Sequence, residues 1–247
     1  MRRLYGDAAY GRIRACHVAV VGVGGVGSWA AEALARSGVG ALTLIDLDQV
    51  SESNVNRQVQ ALGATLGMAK VDALAARIAD IHPGCAIAKV EEFVDAANWP
   101  GVLVRPAAAV IDACDDVRAK AVLAAWSRRT GVPLVVVGAA GGKRAAERVE
   151  VGDLGEVTHD PMLAALRQRL RKFHEAPRTG SLGLACVYSR EPVAAPSGEE
   201  CDVDGSLNCH GYGSSVAVTA TFGMVAAARA LEFAALPAAR SSDPSTL

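Results

Sequence analysis

The residues of this chain best suited to chemistry begin at Gly22-Val23-Gly24-Gly25-Val26-Gly27, directly after the apolar run Val18-Ala19-Val20-Val21. Glycines at this spacing let backbone N–H groups and a helix N-terminus approach phosphate. A second apolar run, Leu42-Thr43-Leu44-Ile45, ends in Asp46, whose carboxylate can accept hydrogen bonds from ribose hydroxyls. The turn and the acid alone fit NAD or FAD as well as ATP. The polar loop that follows carries Asp48, Asn54, Arg57 and Gln58, and Lys70 opens the next helix. Arg57 offers a rigid fork of donors for phosphates, Lys70 a point charge, and Asn54 a group that orients phosphate or bound magnesium. Asp115, in Ile111-Asp112-Ala113-Cys114-Asp115, lies just past another apolar run, on the ligand edge of a doubly wound sheet, where a carboxylate could hold Mg²⁺ beside a triphosphate. A redox enzyme has no general need for this set, whereas an enzyme that splits ATP between its α and β phosphates does. The candidate ATP-binding residues are therefore Gly22, Gly24, Gly25, Gly27, Asp46, Asp48, Asn54 and Gln58, and the candidate catalytic residues are Arg57, Lys70 and Asp115, the last also as metal ligand. Asp48 reads equally as a loop cap, and Gln58 as a residue that fixes the turn.

The elements that must hold these groups alternate. Residues 4–15 read as a short amphipathic helix, His17–Val21 as a strand, about Gly25–Arg36 as a helix ending at Gly38, and Ala41–Asp46 as a strand. A helix over about Met68–Ile81 stops before Pro83, and strands follow at Ala86–Glu91, Ala108–Asp112 and Pro133–Val137, with a helix over Asp115–Arg129 between the last two. This rhythm predicts an α/β fold with a doubly wound, mainly parallel sheet. Beyond Gly138 come an edge strand near Arg148–Val151, a basic helix over Asp160–Lys172, a mobile loop over residues 192–206, and an apolar helix near 212–235 that closes the domain.

The chain has 247 residues, enough for one large domain: residues 1–240, with a core at 15–140, a basic helix and mobile loop within 155–208, and a disordered tail at 241–247. A net charge of −1 excludes global charge as a drive toward nucleic acid, so RNA contact would need a local patch. The six cysteines form no CxxC pair, which argues against a structural zinc site and a secreted disulfide scaffold. No basic-then-apolar leader opens the chain, and a reducing cytoplasm is the expected compartment. Tyr212–Leu236 is apolar enough to raise a membrane span, but Ser214, Ser215, Thr219, Thr221, Arg229 and Glu232 favour a buried core helix and no stable membrane insertion.

Gly22–Gly27, Asp46-x-Asp48, Asn54-x-x-Arg57-Gln58, Lys70 and Asp112-x-x-Asp115 together resemble the E1-like adenylating superfamily, with its Rossmann-like adenylation domain, over about residues 15–140. Arg3-Leu4-Tyr5-Gly6, the run Gly25–Arg36, Cys209-x-Gly211-x-Gly213 and Thr219-Ala220-Thr221-Phe222-Gly223 resemble one branch of it, the tRNA threonylcarbamoyladenosine dehydratases. That resemblance implies a homodimeric, Mg²⁺- and ATP-dependent enzyme that cyclises the threonylcarbamoyl group on adenosine 37 of tRNA through an acyl-adenylate, with links to a cysteine desulfurase sulfur-transfer pathway. By the same analogy Asp46 would bind ribose, Arg57 and Lys70 the phosphates, and Asp115 Mg²⁺. The alternative within the superfamily is adenylation of the C-terminal glycine of a ubiquitin-like sulfur carrier. In related enzymes an arginine upstream of the glycine turn reaches the partner's ATP site; counting back from Gly22 puts its equivalent before Met1, leaving Arg2, Arg3 or Arg12 as substitutes.

Other groups read two ways. Arg167, Arg169, Arg171 and Lys172, with Arg178 beyond and Lys143, Arg144 and Arg148 alongside, are either a solvated face or, given a tRNA substrate, phosphate contacts. Cys209, before a glycine-rich helix start, is either a sulfur acceptor or a small structural residue, and Cys186 shares that ambiguity. Cys114 reads as packing, Cys201 has no site partner, and His159 and His174 fit no metal spacing.

Overall fold

A computed structural model describes residues 1–194 and 212–237. Cys201, Cys209, most of the 192–206 loop and the 241–247 tail lie outside the described residues.

The apolar runs form the strands they predict. β1 (His17–Val21), β2 (Ala41–Ile45), β3 (Ala86–Val90), β4 (Ala109–Asp112) and β5 (Leu134–Val137) are joined by β6 (Val149–Asp153) and β7 (Ala185–Ser189) in one sheet of order β3-β2-β1-β4-β5-β7-β6. Every pairing is parallel except β6 with β7. β1, β2, β4 and β5 are buried throughout, as continuous apolar strands covered on both faces must be. One face carries α3 (Gly27–Arg36), α4 (Lys70–Ile81) and the C-terminal helix, here α7 (Val216–Ala235), packed on Val18, Val20, Leu42 and Leu44. The other carries α5 (Val117–Thr130) and α6 (Pro161–Phe173), packed on Ala19, Val21, Val110 and Val136. From β1 the chain winds outward through β2 and β3, then returns to β4 on β1's other side. The switch point therefore lies between β1 and β4, where a ligand crevice opens at the carboxyl ends of the strands.

Two expectations needed correction. Residues 4–15 are not one helix: α1 (Arg2–Tyr5) and α2 (Asp7–Ala15) meet at Gly6, whose φ of 78° breaks the helical path. β7 has no counterpart in the sequence reading, yet it fills the slot between β5 and the edge strand β6.

α7 is a core helix on its inner side. Val218, Phe222, Ala226, Ala227, Ala230 and Ala234 are buried, and it runs along α3. A Cβ at Gly223 would lie 2.8 Å from Trp29 Cβ and 3.0 Å from the Ala30 nitrogen, so only glycine permits this crossing. It is the one helix among the described residues long and apolar enough to cross a membrane, and 44% of its apolar window is buried inside the protein.

Candidate active site

The glycine turn is built by Gly22 and Gly27 and left open at Gly24. Gly22 has φ 80°, and a Cβ there would sit 2.8 Å from both the Ala113 oxygen and the Cys114 nitrogen, so the turn lies against the end of β4. A Cβ at Gly27 would overlap the Gly22 carbonyl. Around Gly24, by contrast, a Cβ would meet nothing nearer than Gln58 Nε2 at 3.9 Å. Gly24 and Gly25 line a cleft of about 510 Å³, a size suited to a nucleotide-scale ligand.

Asp46 caps β2 and braces the turn. Its Oδ2 accepts from the Val23 N–H at 2.8 Å and its Oδ1 from the Asp48 N–H at 3.0 Å. Burial pushes its carboxyl pKa up, against the opposing pull of Lys70 and of those two N–H groups. Lys70, at the first position of α4, is 8% exposed at its side chain and donates to Asp48 Oδ2 at 2.6 Å, with Asp46 Oδ1 at 3.9 Å. Half-exposed Asp48 thus holds the Lys70 ammonium at the cleft wall.

The loop carrying Arg57 is fastened to the turn from three sides. Trp29 Nε1 on α3 donates to the Arg57 carbonyl at 2.9 Å, Gln60 Nε2 donates to the Val23 carbonyl at 2.8 Å and to Gln58 Oε1 at 3.2 Å, and Asn56 Nδ2 donates to the Ser214 carbonyl at 3.0 Å. The Arg57 guanidinium itself rests on the Ser53 carbonyl at 2.5 Å and on Asn56 Oδ1 at 3.0 Å, neutral local partners that an anionic phosphate can replace. Asn54 does not line the cleft. It is buried, and its Oδ1 accepts from the Ser51 N–H at 3.1 Å in a capping box, so the structure gives it a role in shaping the loop.

Asp115 and Asp116 follow β4 at the switch point and divide the work. Asp116 caps α5, accepting from the Arg118 and Ala119 N–H groups at 2.9 and 3.3 Å. Asp115 is exposed on the cleft wall with no side-chain partner among the described residues. Beneath them Lys120 and Asp112, both 0% exposed, form an ion pair at 3.1 Å. Lys120 Nζ also donates to the Asp112 carbonyl at 3.3 Å and the Val137 carbonyl at 2.8 Å, tying the ends of β4 and β5 together. Burial opposes the Lys120 charge, but Asp112 outweighs it and holds the ammonium above its ordinary pKa. Sequence reasoning missed this pair. Its signal was a lysine on the apolar stripe of α5, among Leu123, Ala124 and Ser127, all buried.

A fourth wall comes from the loop after β3, where Glu92, Phe93, Val94 and Asp95 line the cleft. Asp95 Oδ1 accepts from the Ala97 and Asn98 N–H groups, and Asn98 Nδ2 donates to the Phe93 carbonyl at 2.8 Å. That rigid turn presents a Phe93 ring that is 64% exposed.

The remaining candidates, Cys114 excepted, lie apart from the cleft. Arg167 NH1 donates to the Leu154 and Val157 carbonyls at 3.0 and 2.7 Å, and Lys143 is buried against the Ser189 and Glu191 carbonyls. Arg167 and Lys143 are thus committed to the fold, which corrects their assignment to a free basic surface. Arg171 Nε reaches the Pro177 carbonyl at 3.1 Å, while Arg169 and Lys172 sit over the exposed Phe173 ring at 5.2 and 5.0 Å. Burial raises the Cys186 and Cys114 thiols well above their ordinary range, so neither presents a ready thiolate. Arg2 pairs with Asp7, and Arg12 Nε donates to the Ala235 carbonyl at the end of α7. Arg3 has no side-chain partner among the described residues.

A glycine turn at a β1/β4 switch point, faced by an arginine, a lysine and a carboxylate that has no side-chain partner among the described residues, marks a doubly wound α/β protein whose cleft carries charged groups of both signs. The chain belongs to the ThiF family, whose profile matches residues 1–241. It is 43% identical to the tRNA threonylcarbamoyladenosine dehydratase of Escherichia coli K12 over 249 aligned residues, covering 96% of this chain and 93% of that protein. It is 37% identical to the Haemophilus influenzae protein of the same name, covering 93% of this chain and 90% of that one. Among solved structures, the E. coli dehydratase in complex with ATP superposes with a TM-score of 0.84 at 42% identity, covering 94% of this chain and 90% of that one.

Proposed function

We propose that this protein uses ATP to cyclise the threonylcarbamoyl group on adenosine 37 of tRNA. The observation that carries the reading is the match, over nearly the whole chain, to dehydratases of that name, one of them solved with ATP. The cleft supplies the parts such chemistry needs. The substrate carboxylate attacks the α-phosphorus of ATP, an O–P bond forms, and pyrophosphate leaves. A carbamoyl nitrogen then attacks the acyl carbon, AMP leaves, and the nitrogen's proton passes to solvent. Water is lost formally, with AMP as the true leaving group.

In this reading Asp46 accepts from the ribose and Phe93 offers a face for the adenine. The open backbone at Gly24 receives phosphate. Arg57 leaves its local carbonyl to clamp the departing pyrophosphate, and Lys70 adds charge from beside Asp46 and Asp48. Asp115, on the cleft wall with no side-chain partner among the described residues, fits Mg²⁺, which takes one or two carboxylates and shares the rest of its shell with phosphates and water. That ion would neutralise charge on the triphosphate. Catalysis is positioning and electrostatic stabilisation by groups held before substrate arrives.

Arg169 and Lys172 are the basic residues of α6 that remain available for tRNA phosphate, and Arg178 extends them. A homodimer fits the exposed apolar side chains of Val55, Leu62, Leu66 and Met68 beside the Arg57 loop, and of Arg2, Arg3 and Arg12 it is Arg3 that has no side-chain partner among the described residues and could reach a partner's cleft. The cytoplasm is the compartment of its tRNA substrate. A sulfur-transfer partner would engage Cys209, which lies outside the described residues.

The test is AMP release from ATP. AMP should appear with tRNA that carries threonylcarbamoyladenosine and not with the same tRNA lacking it. AMP formed only with a carrier protein ending in Gly-Gly would replace this reading with its alternative.

A further inference from the structure

The cleft extends past the glycine turn. It crosses the end of β4 and reaches that of β5, where Ala119, Ala139, Ala140, Gly141 and Met162 line it. Asp160 shapes this arm: its Oδ1 caps α6 through the Leu163 N–H at 3.0 Å, and its Oδ2 accepts from the Ala139 N–H at 2.9 Å. The next two residues, Ala140 and Gly141, are buried, and among the described residues neither N–H has an acceptor. Both residues line the arm.

The two ends of the cleft lie on opposite faces of the sheet. Gly25 packs on Arg57 and Thr219, on the α3 and α7 side. Ala119 and Met162 belong to α5 and α6, on the other side. Transfer at phosphorus puts the attacking and leaving oxygens in line, on opposite sides of the reacting atom. With pyrophosphate departing toward Arg57, the attacking oxygen must approach from the α5–α6 side.

We propose that the arm bounded by Ala119, Ala139, Ala140, Gly141 and Met162 is the acyl site: it receives the carboxylate-bearing N-carbamoyl amino-acid group of the substrate. The inference rests on the adenylation reading above and adds where the substrate sits. The Ala140 and Gly141 N–H groups receive an oxygen of this group, and Met162 and Ala119 cover its aliphatic part. A carboxylate held here faces the α-phosphorus from the side opposite Arg57. The new O–P bond forms on the arm side, and the bond to pyrophosphate breaks on the other.

The experiment fills the arm and follows the two substrates separately. Ala139→Leu should leave the ATP Kd within about twofold of wild type and lower kcat/KM for modified tRNA at least about tenfold. Unchanged turnover, or an equal loss of ATP binding, overturns the assignment. Met162→Ala, which widens the same arm, should show the same split. Amide hydrogen exchange on the wild-type protein needs no variant: Ala140 and Gly141 should be protected when modified tRNA is added to the complex with a non-hydrolysable ATP analogue. Protection by the analogue alone would make them phosphate ligands and refute the proposal. The underlying reading fails separately, if the wild-type protein forms no AMP with modified tRNA.

Discussion

Replacing Lys120 by methionine should destabilise the protein strongly, although Lys120 lies beneath the cleft and not on its wall. The side chain keeps its length and loses its ammonium. In the structure Nζ lies 3.1 Å from Asp112 Oδ1, 3.3 Å from the Asp112 carbonyl and 2.8 Å from the Val137 carbonyl. Both side chains are fully buried, and Asp112 Oδ2 already lacks a hydrogen-bond partner among the described residues. Lys120→Met therefore strands a buried carboxylate. Breaking one side of such a pair costs about 3–5 kcal/mol. In a chain of this size each kcal/mol moves the midpoint by about 2–4 °C, so Tm should fall by roughly 6–20 °C. Asp112→Asn on the Lys120→Met background removes the stranded charge, and the double variant should recover part of the loss, with a coupling of about 1–3 kcal/mol. Urea denaturation of the four proteins gives the cycle directly. A loss below about 1 kcal/mol for Lys120→Met, or strictly additive losses, would refute the view that this pair ties the ends of β4 and β5.

Arg57→Ala should lower the rate of pyrophosphate release by about 10²–10³ in pre-steady-state assays, with a smaller effect on ATP binding, because the guanidinium acts on charge that develops at the leaving group. Gly22→Ala should destabilise by about 2 kcal/mol or more in urea titrations, since the turn needs positive φ and a Cβ would meet the end of β4. His17 Nδ1 donates to the Pro106 carbonyl at 3.1 Å, its Nε2 lies 2.8 Å from Thr43 Oγ1, and burial lowers its imidazole pKa. A folded-state pKa below the unfolded value of 6.5 gives a contribution fully present above pH 6.5 and lost as pH falls through the folded value. The urea midpoint should therefore drop between pH 7.5 and 5.5, and His17→Gln should flatten that dependence.

Much of the fold was legible because its signals are local. The apolar runs at 18–21 and 42–45, the glycines between them and the acid after them define a βαβ unit without any tertiary information. Lys70 and Asp115 fall where the alternation places them, at a helix start and past a strand end. What was not legible depends on distant contacts. β7 is five residues long and becomes an interior strand only by entering between β5 and β6. Arg167 reads as part of a basic face, yet two carbonyls from the 154–157 loop turn it inward. Asn54 sits in a phosphate-binding motif, but its amide closes the capping box of its own loop. Trp29, which fixes the Arg57 backbone through one indole N–H, carries no mark in the sequence that separates it from core packing.

The central claim is that the cleft activates a carboxylate on tRNA, and the mass of the modified nucleoside tests it most directly. Tracts of tRNA carrying threonylcarbamoyladenosine, incubated with ATP and this protein, should yield a nucleoside lighter by one water, with AMP released in step. Asp115→Ala should leave the nucleoside mass unchanged while the protein remains folded. A wild-type protein that binds ATP yet never alters that mass, or an Asp115→Ala variant that alters it at the wild-type rate, would contradict the account.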